Sequence, residues 1–241
     1  MTVGGQTLEI CGLQIEIVRK PIRHLHVRVY PPDGRVRVSA PVWLDEASVR
    51  QAVAVRADWI RRQQARLQSQ PPPAPKAMVS GETHHVFGRR CILRIVEGRT
   101  PHRVILQDGT LTLHVRHGSS RACRIRLLED WYRRQLAERI PVLIAHWEPR
   151  LGVQVAEWRI RRMKTRWGTC NIRARRIWLN LQLATKPPEC LEYVVVHEMV
   201  HLHERLHNAR FYAWMDRCLP DWRDRRRLLN ARPNASRACS E

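Results

Sequence analysis

The residues best placed to do chemistry lie in Val194-Val195-Val196-His197-Glu198-Met199-Val200-His201, which contains the pattern H-E-x-x-H. On a helix, residues four apart share one face, so His197 and His201 can present two imidazoles to one metal ion. Glu198 lies one residue, roughly 100°, further round the helix. From there its carboxylate can reach a water on the metal without being a ligand, which is the general-base position of a zinc hydrolase. The apolar run Tyr193 to Val196 suits a helix buried before the metal, where dry surroundings strengthen electrostatic effects.

A catalytic zinc usually takes three protein ligands and keeps a position open for water. His203 is two residues past His201 and points to another face. Glu204 stays near the right face but stands about 10 Å along the helix from His197, which strains a single tetrahedral centre. His207 would be about 15 Å away on the wrong side of a straight helix. It folds back to the metal if the helix breaks between Glu204 and Leu206. The spacing H-E-x-x-H-x5-H has that geometry in the metzincin pattern, where a glycine makes the turn. Glu204 occupies the glycine position here, so the turn must be built differently. His207 is the expected third ligand and Glu204 the alternative.

Upstream stands Arg162-Met163-Lys164-Thr165-Arg166-Trp167-Gly168-Thr169-Cys170, followed by Ile177-Trp178-Leu179-Asn180-Leu181 and Pro187-Pro188-Glu189. Downstream stands His207-Asn208-Ala209-Arg210-Phe211. With these segments the chain resembles the YgjP-like branch of the SprT-like zinc metallopeptidases. That family shows R-W-G-[ST]-C, an L-N strand, a Pro-rich turn, V-V-H-E-[LM]-x-H-L and H-x3-F. The match is dense from about Arg162 to Trp214, and thinner in the N-terminal Arg-rich strands and in Trp131-Tyr132-Arg133. Met199 and Val200 stand in the variable positions of the motif. The resemblance implies a zincin-type C-terminal domain, one Zn2+ per chain held by His197, His201 and His207, and Glu198 as base. It leaves the substrate open.

In zincins generally, a strand beside the metal helix can pair with an extended peptide. The segments Arg166 to Cys170 and Ile177 to Leu181 are both candidates for that edge. Arg166 can bind a substrate carboxylate or phosphate, or stabilise an oxyanion. Gly168 allows close backbone approach, and Trp167 reads as a packed aromatic wall. Cys170 reads as a small packed residue rather than a nucleophile or ligand.

These residues need elements to hold them. Leu8 to Val18 alternates as strands do. Leu25 to Tyr30 and Arg35 to Ala40 flank the turn Pro31-Pro32-Asp33-Gly34, forming a hairpin with one basic face. Asp45 can cap a helix from Glu46 to about Ser69, and Gln70 to Pro75 reads as a stiff linker. His84 and His85 would point to opposite faces of a strand and cannot easily share a metal. Cys91 to Val96, Arg103 to Leu106 and Leu111 to Val115 read as short strands, with Asp108-Gly109 a hairpin turn. From Ser119 to about Trp147 the period is helical, with Pro141 able to kink or divide it. Strands over Ala156 to Met163 and Arg176 to Leu183 follow. Pro187-Pro188 opens the metal helix, and helices follow over Asn208 to Cys218 and Asp221 to Leu229. The expected fold is α+β, with a zincin-like C-terminal domain after a β-rich N-terminal region. Its divisions are hairpins plus helix over 1–75, short strands over 76–118, the metallopeptidase domain over 119–229 and a flexible tail over 230–241.

A length of 241 residues allows one or two domains with a sizeable core. The chain is 44% hydrophobic and 27% charged, as soluble globular proteins are. No apolar run approaches the roughly 20 residues that span a bilayer, and no signal peptide is visible at Met1 to Gly12. Seven scattered cysteines without C-x-x-C read as free thiols in a reducing cytoplasm. The formal net charge is +21, and only Lys20, Lys76, Lys164 and Lys186 among the 43 basic residues are lysines. Such arginine dominance can come from a GC-rich genome. Whatever its origin, positive potential attracts nucleic acid, nucleotides or acidic partners. No familiar nucleic-acid-binding motif appears, and nothing marks an oligomeric state. The expected activity is that of a zinc-dependent hydrolase, a metallopeptidase whose zinc-bound water is activated by Glu198. A metal-dependent nucleoside triphosphate pyrophosphatase is the alternative. A nucleic-acid-associated metal-binding module comes third, since a purely structural zinc needs no base.

Overall fold

The structure, a computed structural model, describes residues 6–30, 33–69, 76–99 and 101–231. The fold is α+β, and the chain divides into two compact units, 1–75 and 76–241. The expected linker at 70–75, the prolines at 31 and 32, and tail residues 232–241 lie outside the described residues.

In the first unit, β1 (Gln6–Ile10), β2 (Leu13–Lys20), β3 (His26–Tyr30) and β4 (Arg35–Pro41) form one sheet in the order β1-β2-β4-β3. The outer pairs are antiparallel and β2 runs parallel to β4. The stretch from Leu8 to Val18 is therefore a hairpin rather than one strand. Cys11 and Gly12 both take positive φ, 52° and 72°, as a two-residue type I′ turn requires. Ile15, Ile17, Val36 and Val38 are buried against a stripe of Val49, Val53, Ala57 and Ile60. That stripe spans two helices, α1 (Glu46–Ala54) and α2 (Ala57–Gln68), because the expected single helix is interrupted at Val55-Arg56. Asp45 caps α1 by accepting from Ser48 N at 2.7 Å.

The second unit opens with β5 (Thr83–Val86), β6 (Arg89–Gly98), β7 (Arg103–Gln107) and β8 (Thr110–Arg116). Their order, β5-β6-β8-β7, and their strand directions repeat those of the first sheet. The Asp108-Gly109 turn is present, with φ of 48° and 72°. The β5–β6 turn has a second task. A β-carbon on Gly88 would come within 2.8 Å of Pro187, and Phe87 N donates to Ala184 O at 2.8 Å. The bare glycine lets this sheet press against the segment Ala184 to Pro187, which enters the next helix.

Helix α3 (Arg121–Leu151) runs unbroken through Pro141 and Pro149. Pro141 removes one helical hydrogen bond, but the stripe Leu136, Ile140, Ile144, Trp147 and Leu151 stays buried across it and holds the two halves in line. Next come β9 (Glu157–Arg161), β10 (Gly168–Asn171) and β11 (Arg176–Asn180), ordered β10-β11-β9. A 3-10 turn, Leu181–Thr185, leads into α4 (Pro188–Val200), followed by α5 (Ala209–Cys218) and α6 (Trp222–Asn230). Pro188 opens α4, where its missing N–H costs nothing. Along α4, Leu191, Val194, Val195, Val196 and Met199 are almost wholly buried, as befits a helix apolar all round. One hydrophobic core takes in β5 to β8, α3, β11 and α4 to α6. No helix among the described residues is long and apolar enough to cross a membrane.

Candidate active site

Helix α4 supplies His197, Glu198 and, at its C-cap, His201. It ends sooner than the sequence suggests. His203 N bonds Val200 O at 2.9 Å and Glu204 N bonds the same oxygen at 3.1 Å, so the chain turns away directly after Val200. That early turn swings His207 back. His207 Nε2 and His197 Nε2 lie 3.0 Å apart, and one ligand atom from each of His197, His201 and His207 falls within 4.8 Å of the others.

Two residues fix the imidazoles in place. His201 Nδ1 lies 3.0 Å from Glu204 O, a contact in which the ring N–H donates and Nε2 is left free for a metal. Phe211, 1% exposed, lies under all three rings, with centroid separations of 4.9 Å to His197, 4.8 Å to His201 and 4.6 Å to His207. Asn208 sets that ring by capping α5, its side chain accepting from Phe211 N at 3.1 Å.

The donor set suits zinc: three nitrogen ligands and no carboxylate among them. Burial holds His197 neutral, its pKa falling to about 3, with His201 and His207 adding to the effect. His201 and His207 are lowered too, chiefly by burial. A metal needs neutral imidazoles. Glu204, the alternative ligand, turns elsewhere: its Oε1 accepts from Leu206 N at 3.3 Å. The glycine of the metzincin turn is thus replaced by a carboxylate that stitches its own loop. His203 also leaves the site, its Nε2 lying 2.6 Å from Leu151 O and its ring stacking on Trp214 at 4.4 Å.

Glu198 is 4% exposed. Burial raises its pKa to about 8, and Arg166 pulls the other way. The carboxylate lies against Gly168, where an added β-carbon would come within 2.5 Å of Oε1. The close approach that Gly168 allows is therefore made by Glu198. Cys170 is pushed up to about 12 by burial, with Glu198 adding to the shift. A thiol held so firmly protonated makes a poor nucleophile.

Strand β10 is the edge of its sheet, whereas β11 is central. Of the two candidate edges, only β10 offers a free side. It lines a cleft of about 1040 Å³ together with His197, Glu198, His201 and His207. Arg166 and Trp167 line the same cleft. Trp167 contacts the α6 end, its Nε1 donating to Asn230 at 3.4 Å, and Lys186 stands over its ring at 5.5 Å.

One residue with a large structural share carries no chemical signal in the sequence. Asn180, 3% exposed, donates through Nδ2 to Met163 O at 2.8 Å and to Arg166 O at 2.7 Å. Its backbone N–H donates to Trp167 O at 2.9 Å. It therefore holds the whole loop that presents Arg166, Trp167 and Gly168. In the sequence it stands out only as the Asn of the L-N strand in the family pattern, with no sign of what it bonds.

No curated protein matches the chain significantly. Among solved structures, the metallopeptidase zymogen of Pyrococcus abyssi abylysin is similar at 22% identity. The likeness covers 36% of this chain and 87% of that chain with a TM-score of 0.34, which is a local resemblance. The family described as "YgjP-like, metallopeptidase domain" matches residues 23–232, a span that takes in all three histidines, Glu198 and the loop before β10. The chain belongs to the YgjP-like metallopeptidase family.

Proposed function

We propose that the chain is a zinc-dependent peptidase in which His197, His201 and His207 hold the metal and Glu198 is the general base. The observation that supports this best is the convergence of three imidazoles held neutral beside one buried carboxylate that is not among them. Zinc, when bound, supplies a Lewis acid that polarises a carbonyl and makes water more acidic. Glu198 accepts the proton of the attacking water and returns it to the departing amine. Without metal, burial lifts this carboxyl to about 8, and the positive charge of a bound zinc would favour its ionised, proton-accepting form. An extended substrate would pair along β10, with its carbonyl above Glu198 and Gly168. Arg166, at the start of that strand, would orient the substrate or share the charge developing on the carbonyl oxygen. The six described cysteines are free thiols, which fits a reducing, cytoplasmic setting.

The arginines around the cleft give a nucleoside triphosphate some claim as substrate. A metal-dependent pyrophosphatase is therefore the second reading, and a nucleic-acid-bound metal module without turnover the third. Zinc-loaded and metal-stripped protein should be incubated separately with unstructured peptides, nucleoside triphosphates and DNA. Peptide cleavage that vanishes with the metal and returns with zinc is expected. Triphosphate hydrolysis without peptide cleavage would overturn the peptidase reading.

A further inference from the structure

Four arginines line the cleft, Arg166, Arg173, Arg205 and Arg226, while Glu198 is the single acidic residue in its wall among the described residues. None of the four guanidinium groups has a carboxylate within 4.0 Å among the described residues. This is not the habit of arginine in this part of the chain. On α6 alone, Arg223 pairs with Asp216 at 2.5 Å, Arg225 pairs with Glu192 and Asp221 at 2.5 and 2.9 Å, and Arg227 pairs with Asp224. Arg226, between them, lines the cleft and has no carboxylate within 4.0 Å among the described residues. Its charge is felt at His197 and His207, which places it near the metal ligands.

The four are also distributed with respect to the edge strand. Arg166 lies just before β10 and Arg173 just after it. A peptide paired along the four residues of β10, at about 3.3 Å per residue, would meet an arginine beyond either end. Arg205 lies in the turn between His201 and His207, and Arg226 on α6, so they serve the other walls. Unpaired like charges in a cleft with low-dielectric walls focus a positive potential on whatever enters.

We infer that this cleft selects acidic peptides, with Asp or Glu on both sides of the bond to be cut, and that Arg173, Arg205 and Arg226 set that preference together with Arg166. The inference rests on the peptidase reading above and goes beyond it by naming the substrate class. Carboxylates on the substrate would supply the partners that these guanidinium groups lack among the described residues.

The test uses three fluorogenic peptide pools, identical and degenerate at the centre, flanked on both sides by Glu, by Gln or by Lys. With zinc-loaded protein at low salt, kcat/KM should rank Glu above Gln above Lys. The Glu-to-Gln ratio should shrink towards one as salt rises, because exposed charges are screened. Each of Arg173→Ala, Arg205→Ala and Arg226→Ala should lower that ratio by about 2- to 5-fold, the scale of one exposed charge contact. Binding of the same pools to the Glu198→Gln protein, followed by fluorescence anisotropy, gives a readout free of turnover and should rank them in the same order. Cleavage of all pools at one rate would overturn the acidic preference and leave the peptidase reading standing. Ranked binding with no pool cut by the wild-type protein would uphold the preference and sink the peptidase reading. Displacement of the bound Glu pool by a nucleoside triphosphate at lower concentration than by free Glu pool would overturn the acidic-peptide assignment in favour of a phosphate ligand.

Discussion

Glu198 occupies the space that any side chain at Gly168 would fill. A β-carbon there would stand 2.5 Å from Glu198 Oε1 and 2.7 Å from its Cγ. Gly168 sits in a paired strand, opposite Leu179, so shifting the backbone to make room would break the edge of the sheet. The carboxylate must move instead. Gly168→Ala should therefore keep its zinc, since no ligand is touched, and lose about 10²-fold in turnover, the cost of misplacing a reacting group by an ångström. Zinc content and kcat measured on one preparation check this. Wild-type turnover in Gly168→Ala would mean that the base has room to spare.

Asn180 acts at a distance from the chemistry, through the loop before β10. Asn180→Asp keeps the acceptor but loses both donated bonds, to Met163 O and Arg166 O. Two carbonyls then lose their partners at about 1–3 kcal/mol each. The melting temperature should fall, and KM should rise as Arg166 and Trp167 lose their setting. A variant with unchanged KM would detach that loop from substrate binding.

The third ligand is tested by a pair of substitutions. His207→Ala should bind zinc far more weakly than wild type. Glu204→Ala should retain it, because Glu204 serves His201 through its backbone carbonyl, which the substitution keeps, while its carboxylate binds Leu206 N and faces Arg210 rather than the three imidazoles. Elemental analysis after gentle purification decides. Zinc kept by His207→Ala and lost by Glu204→Ala would reverse the assignment.

Metal-free protein should show stability that depends on pH in two directions. His197, with a pKa of about 3 when folded, stays neutral where the unfolded chain takes up a proton below about 6.5. Its contribution is full above pH 6.5 and is lost progressively as pH falls from there to about 3. His201 and His207, also lowered, act in the same sense. Glu198 is the reverse: raised to about 8 from an ordinary 4.5, it keeps its proton while the unfolded chain has released one. Stability is therefore lost as pH rises from about 4.5 to 8. Thermal unfolding of metal-stripped protein should show both arms, and Glu198→Gln should flatten only the alkaline one. Equal loss of both arms in that variant would contradict the account.

How far these features could be read from sequence depended on how local they are. H-E-x-x-H is a statement about one helical face, so His197, Glu198 and His201 could be placed together from spacing alone. Asp45 announced its helix because a cap acts within three residues, and Ser120 and Asn208 cap theirs in the same way. Asp108-Gly109 read as a turn through its residue types, whereas Cys11-Gly12 adopts the same geometry with a cysteine that gives no such sign. The end of α4 was expected several residues too late, because Val200 O takes two donors from a turn that no single residue type announces. Non-local relationships stayed hidden. Nothing in the spacing says that β11 is central and β10 the edge, that Asn180 reaches back to Met163 and Arg166, or that Phe211 supports three imidazoles.

The central claim is that Glu198 moves protons and does not hold the metal. Glu198→Gln keeps the size and the hydrogen-bonding capacity of the side chain but cannot accept a proton. Loss of a general base typically costs about 10²–10⁴-fold in rate. The decisive measurement is zinc content and peptide turnover on the same sample of Glu198→Gln. The account predicts about one zinc per chain, as in wild type, with nearly all turnover gone. Zinc lost together with turnover, or both retained, would contradict it.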